Sequence, residues 1–86
     1  MELLARFEDA QARAKKLTRM PSNDELLELY ALFKQGTVGD ASGGRPGMLD
    51  FRGRAKFDAW ASKKGTSRDA AMTAYVAVVD RLEAQR

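Results

Sequence analysis

The sequence contains no cysteine and no histidine. Without cysteine, the chain has no disulfide, no thiolate nucleophile and no zinc site built on cysteine. Without histidine, it lacks the usual general base and the commonest protein metal ligand. Catalytic triads that need either residue cannot be assembled, so the composition argues against an enzyme and predicts no metal site.

Long apolar runs are also missing, since the longest one extends only from Ala74 to Val79. A membrane-spanning helix needs about 18 or more apolar residues. The N-terminus carries acidic residues where a signal peptide needs a basic start and an apolar stretch. These features predict a soluble cytoplasmic protein, and a length of 86 residues predicts one domain over residues 1–86.

Basic residues are concentrated in one part of the chain, although the net charge is only +3. Residues 52–64 contain five bases and one acid, whereas residues 22–32 contain three acids and no base. A local basic field favours an anionic partner, although a solvated helix face would have the same composition. A nucleic-acid-binding module is the first rival, but the charge is too modest and too mixed, so we predict no nucleic-acid partner.

Apolar residues recur at steps of three and four in four segments, and no segment alternates with a period of two. This pattern predicts four amphipathic helices and no strands. The predicted helices run from Leu3 to Leu17, from a capping box at Ser22 to Gly36 or Gly39, from Gly53 to Lys64, and from Ser67 onward. Short connections between helices predict an all-α bundle. A second rival function is protein–protein interaction through the apolar helix faces.

Residues 36–50 contain five glycines and one proline, which predicts a long loop between the second and third helices. Val38, Met48 and Leu49 are predicted to pin this loop to the core. Its glycine spacing is also that of a phosphate-binding P-loop. The segment lacks the Lys-Ser/Thr ending and follows a helix instead of a strand, so we reject that interpretation.

Aromatic and basic residues share one face of the second helix. Tyr30 and Lys34 are four residues apart and therefore point the same way, with Phe33 beside them. An aromatic ring can stack on a nucleobase, while a lysine and a tyrosine hydroxyl can hold a phosphate. Further bases that could join them are Lys15, Arg52 and Lys56. The pattern alone fits core aromatics with solvated lysines even better.

The order of residues from Pro21 to Ala71 resembles the acyl-CoA-binding protein family, also described as diazepam-binding inhibitor or endozepine-like domains. The resemblance lies in three blocks: Lys-Gln-Gly-Thr-Val-Gly-Asp at residues 34–40, Arg-Pro-Gly-Met at 45–48, and Ala-Lys-Phe-Asp-Ala-Trp at 55–60. The first two blocks in this order are highly specific, and the match extends over nearly the whole chain without a gap.

The resemblance implies an up-down-down-up four-helix bundle with a long crossover loop between helices 2 and 3. It also implies non-covalent binding of medium- to long-chain fatty acyl-CoA by a carrier and pool former in lipid metabolism. No cofactor is expected. The expected partners are long-chain acyl-CoA and, transiently, acyl-CoA-using enzymes and membranes, and the protein is expected to be a monomer.

The same resemblance assigns site residues. Tyr30, Lys34 and Lys56 match the residues that bind the ribose 3′-phosphate. Phe33 matches the ring that stacks on adenine, and Tyr75 the tyrosine near the pantetheine and thioester. Lys15 matches a basic residue late in helix 1, and Arg52 lies at a more variable position.

Three positions depart from the usual family pattern. Phe33 stands where the family usually has tyrosine, so ring stacking is kept and a hydroxyl contact is lost. Phe57 stands where the family usually has tryptophan, which reduces a packing surface. Gly36 replaces an alanine, at a cost of up to about 1 kcal/mol within a helix. None of these changes removes a charge from the expected phosphate site.

Overall fold

The computed structural model describes residues 2–85 of the protein. Its helices are α1 (Leu3–Ala14), α2 (Asn23–Thr37), α3 (Phe51–Ala61) and α4 (Arg68–Ala84), and these residues contain no strand. The predicted all-α, up-down-down-up bundle is therefore confirmed. Helix α4 packs against α1 and α2, and α3 packs on α2. No helix within residues 2–85 is long and apolar enough to cross a membrane.

The core forms where α1 and α2 meet α4. The predicted apolar stripes supply most of it, and Phe7 and Val79 are almost completely buried. The remaining buried members of the cluster are Ala10, Leu29, Leu32, Ala71, Tyr75, Val76, Val78 and Leu82. Leu26 also lies in the apolar stripe of α2, but it remains 38% exposed.

Polar caps determine where the helices begin. The Ser22 hydroxyl accepts from the Glu25 backbone N–H at 3.2 Å, and the Glu25 carboxylate accepts from the Ser22 N–H at 2.8 Å, so the predicted capping box is present. Helix α3 begins two residues before the predicted Gly53 because the Asp50 carboxylate accepts from the Gly53 N–H at 3.0 Å. Both α1 and α3 end three residues before the predicted ends, and after α3 residues 62–65 continue as turns.

The crossover loop between α2 and α3 is held by polar contacts near its start. Asp40 Oδ1 accepts from the buried Gln35 side chain at 2.8 Å and from the Gly65 N–H at 2.9 Å. Gln35 also donates to the Thr66 carbonyl at 2.8 Å, and the Trp60 indole N–H donates to the Gly39 carbonyl at 2.7 Å. These bonds fasten the loop to α3 and to the turn before α4.

The prediction that apolar residues pin the loop is wrong. Val38 is 46% exposed, Met48 78% and Leu49 89%. The start of the loop is held instead by the polar contacts of Asp40 and of the Trp60 indole. A further ion pair, Arg45 to Asp58 at 2.6 Å, ties the later part of the loop to α3.

Candidate functional site

Two lysines lie over aromatic rings at the contact between α2 and α3. The Lys56 Nζ is 5.5 Å from the centroid of the Tyr30 ring, and the Lys34 Nζ is 4.9 Å from the centroid of the Trp60 ring. An ammonium group at such a distance is attracted to the negative face of the ring. The structure therefore brings together Tyr30, Lys34 and Lys56, which the sequence placed on two separate helices.

These two ammonium groups are available to an anion. A ring face attracts a cation by about 0.5–1 kcal/mol at an exposed site such as Lys56, and more strongly where the ring is buried, as Trp60 is under Lys34. Neither ring neutralises the charge of its lysine. Lys63 differs, because its Nζ lies 2.7 Å from the Glu28 carboxylate and is already paired. Part of the positive charge predicted for residues 52–64 is thus neutralised by Glu28. Among the described residues, Lys56 forms no salt bridge with an acid.

An aromatic group lies beside this pair of lysines. The half-buried Phe33 ring is 6.1 Å from the buried Phe7 ring, centroid to centroid, and Phe7 contacts Tyr75 edge-on at 5.1 Å. Burial raises the pKa of the Tyr75 phenol above its ordinary value, so this side chain stays neutral at physiological pH. The three rings connect α1, α2 and α4, and Phe33 is the one of them that remains partly exposed.

Phe7 lies in the apolar stripe of α1, and this periodicity predicts its burial. Its spacing from Leu3 and Ala10 indicates burial and gives no information about which aromatic rings it meets. The contacts with Phe33 and Tyr75 depend on how α1 packs against α4. The apolar stripe therefore predicts that Phe7 is buried, but it does not predict that Phe7 contacts Phe33 and Tyr75.

Lys15 and Arg52 are not joined to these groups by any contact described within residues 2–85. Lys15 is the exposed residue that follows the last residue of α1, and Arg52 is exposed in the first turn of α3. Both are long, mobile side chains at the surface. The structure leaves their assignment to the site as a prediction.

A cavity elsewhere in the molecule does not coincide with the predicted site residues. A cavity of about 250 Å³ lies between the end of α1 and the end of α4, and it contains none of the predicted site residues. Its lining combines Arg13, Lys16 and Arg19 with Glu83, so its charges are mixed. Residues 2–85 contain no cluster of His, Cys, Asp or Glu side chains that could hold a metal ion.

The sequence of this chain matches a protein family and several relatives. The family model described as "Acyl CoA binding protein" matches residues 4–79. The chain is 58% identical over 79 residues to acyl-CoA-binding protein homolog 1 of Caenorhabditis elegans, with 92% of each chain covered. It is 49% identical over 83 residues to the acyl-CoA-binding protein homolog of Manduca sexta, covering 95% of this chain and 92% of that one.

Solved structures agree with the sequence relatives. The crystal structure of acyl-CoA-binding protein 2 of Oryza sativa superposes with a TM-score of 0.94 at 39% identity, covering 98% of this chain and 93% of that one. The solution structure of the acyl coenzyme A binding protein from yeast gives a TM-score of 0.72 at 46% identity, with 92% of each chain covered. The resemblance noted in the sequence is thus supported by the fold and by the relatives.

Proposed function

The chain belongs to the acyl-CoA-binding protein family, and on this basis we propose that it is a carrier and buffer for medium- to long-chain fatty acyl-CoA. Members of the family bind acyl-CoA without a covalent step, and this protein does the same. The observation that supports the proposal is the contact of the Lys56 ammonium with the Tyr30 ring and of the Lys34 ammonium with the Trp60 ring, between α2 and α3. The resemblance implies that Tyr30, Lys34 and Lys56 belong to the binding site of the family.

The polar end of the ligand is assigned to these lysines. We propose that Lys34 and Lys56 bind the ribose 3′-phosphate together with the Tyr30 hydroxyl, and that Lys15 and Arg52 add charge from the rim. Charge-assisted bonds of this kind contribute roughly 1.5–3 kcal/mol each. The Phe33 ring stacks on the adenine, which needs only the face of the ring.

The apolar end of the ligand needs a surface from which water is excluded. We propose that the acyl chain lies beside the head-group site, where the rings of Phe7 and Tyr75 form the buried layer beneath the surface, with Tyr75 near the thioester. Burial of a fatty chain is worth about 0.8 kcal/mol per CH₂, or on the order of 12 kcal/mol for about 15 methylenes before ordering costs. The acyl chain therefore dominates affinity, and the head group dominates specificity.

The cellular setting is proposed on the same basis. A single acyl-CoA-binding domain over residues 1–86, monomeric and cytoplasmic, would keep a detergent-like thioester dispersed. It would exchange this ligand transiently with enzymes that use acyl-CoA and with membranes. The chain needs no cofactor for such binding, since every interaction proposed above is made by its own side chains.

Titration calorimetry with palmitoyl-CoA, free CoA and palmitate, compared side by side, tests this function. We expect palmitoyl-CoA to bind far more tightly than either fragment, because only the whole molecule uses both surfaces. A series of acyl-CoA esters should bind more tightly as the chain lengthens. Equal affinity for palmitate and palmitoyl-CoA, or a flat response to chain length, would contradict the proposal.

A further inference from the structure

Three large apolar side chains are almost fully exposed where the crossover loop enters α3. Met48 is 78% exposed, Leu49 89% and Phe51 75%, and we call these three residues the loop tip. They lie within four consecutive positions of the chain. Exposed apolar groups that are clustered in this way mark a contact surface, whereas single exposed residues are ordinary.

The local backbone makes the loop tip project from the body of the protein. The Asp50 N–H donates to the Gly47 carbonyl at 3.0 Å, which closes a tight turn with Met48 and Leu49 at its apex. A Cβ atom placed on Gly47 would meet no atom within 4 Å, so the turn stands clear of its neighbours. The cap that Asp50 makes on Gly53 fixes this turn to the rigid start of α3.

A projecting tip fits a lipid surface better than it fits a protein. Protein partners gain most of their energy where an apolar side chain fills a matched, fully desolvated pocket. A bilayer needs no matched pocket, and it binds in proportion to the apolar area inserted plus the attraction of anionic lipids for bases.

Charge next to the tip favours anionic lipid. Arg52 and Lys56 are exposed on α3, and basic side chains near an anionic lipid surface are attracted to it. Residues 45–58 contain four bases and two acids, and one of these acids, Asp58, pairs with Arg45. The local field at the tip is therefore positive.

We propose that the loop tip inserts into the surface of an anionic bilayer and docks the acyl-CoA site there. This inference rests on the proposed function, because acyl-CoA is an amphiphile that partitions into membranes. Phe51 and Lys56 are five residues apart on α3, about 7.5 Å along its axis. Docking at the tip thus brings the head-group site close to the lipid headgroups from which the ligand is collected.

The test uses cosedimentation with phosphatidylcholine vesicles, with and without phosphatidylserine. The loop-tip variant is Met48→Ser/Leu49→Ser, and the matched control is Leu4→Ser/Met20→Ser, which removes the same residue types from exposed positions elsewhere. We expect the wild type and control to bind phosphatidylserine vesicles, and the tip variant to bind at least about tenfold more weakly. Added salt should weaken the binding of all three.

Titration of the same proteins with octanoyl-CoA in solution separates this inference from the proposed function. Unchanged octanoyl-CoA affinity together with lost vesicle binding in the tip variant supports membrane docking. Vesicle binding that is absent in the wild type, or equal in the tip variant, overturns it. A loss of octanoyl-CoA affinity in the tip variant also overturns it, because the tip would then belong to the ligand site. If the wild type itself ignores octanoyl-CoA and palmitoyl-CoA, the proposed function fails, while the vesicle result still decides the docking.

Discussion

At the scale of single residues, Gly36 lies where α1 and α4 come close to the last turn of α2. A Cβ atom there would be 3.2 Å from Met72 Cγ and 3.4 Å from Phe7 Cζ. Glycine in a helix costs about 1 kcal/mol relative to alanine, because the unfolded chain has more freedom to lose. The nearest obstacle belongs to a flexible methionine, so a methyl group fits after a small shift of Met72.

We therefore expect Gly36→Ala to stabilise the protein by a fraction of the full helix-propensity gain of about 1 kcal/mol. Urea unfolding followed by circular dichroism measures the change. Gly44→Ala is the matched control, because it restricts the unfolded chain in the same way and its Cβ would meet no atom within 4 Å. A lower unfolding midpoint for Gly36→Ala than for the wild type would show that Met72 cannot move aside.

The residues of the candidate site were predictable to different extents. Tyr30 and Lys34 follow from the spacing of four within one helix, which holds wherever α2 packs. Lys56 was one of three further bases that could join them, and its role, like that of Tyr75, followed from the family resemblance, because spacing cannot bring residues of different helices together. Phe7 was predicted as buried, but its ring contacts depend on the packing of α1 against α4, which no local pattern encodes.

At the scale of elements, the crossover loop depends on Asp40. The Gly65 N–H and the Gln35 side chain lower the pKa of its carboxyl group, because both donate to the charged form. A folded-state pKa below the unfolded value of about 3.9 means that this carboxylate stabilises the fold above that pH. The stabilisation is lost as the pH falls through the lower, folded-state pKa.

For Asp40→Asn we expect a lower stability at pH 7, since the charged acceptor of two hydrogen bonds is replaced by a neutral amide. The difference from the wild type should shrink as the pH falls below about 4, where Asp40 of the unfolded chain becomes protonated, and should be lost as the pH falls through the lower folded-state pKa. Urea unfolding of both proteins from pH 7 to pH 2.5 gives this comparison. A difference that stays constant over the whole range would show that the Asp40 charge does not hold the loop.

Helix existence was easier to predict than helix ends. Apolar periodicity predicts all four helices. The start of α3 was predicted at Gly53, but the helix begins at Phe51 because Asp50 caps it. The loop was predicted as a loop, but its anchors were assigned to apolar residues. Hydrogen bonds such as Asp40 to Gly65 join positions 25 residues apart, and composition does not reveal such contacts.

At the scale of the whole molecule, Arg13 joins the first helix to the last. Its guanidinium contacts Asp9 and Asp80 at 2.9 Å, and it also contacts Glu83. The pKa of Arg13 is raised above its ordinary value, mainly because its guanidinium donates to the Asp80 carboxylate. Removal of the arginine would leave three acids close together across the α1–α4 contact.

We expect Arg13→Ala to destabilise the protein by about 1 kcal/mol, the upper range for partly exposed ion pairs, with additional repulsion among the remaining acids. Thermal unfolding at low and high salt measures this, and high salt should recover part of the loss. Arg6→Ala, on an exposed position of the same helix, is the control. Equal effects of the two substitutions would mean that the network contributes nothing specific.

In the proposed complex, a surface formed by α2 and α3 holds the ribose 3′-phosphate through Lys34 and Lys56. The most direct test is calorimetry of the wild type and Lys34→Ala/Lys56→Ala with palmitoyl-CoA and with its 3′-dephospho form. For the wild type, loss of the phosphate should weaken binding by roughly 1.5–3 kcal/mol or more. For the double variant, the same change in the ligand should have little effect. An equal loss in both proteins would contradict the account, because the phosphate would then be bound elsewhere.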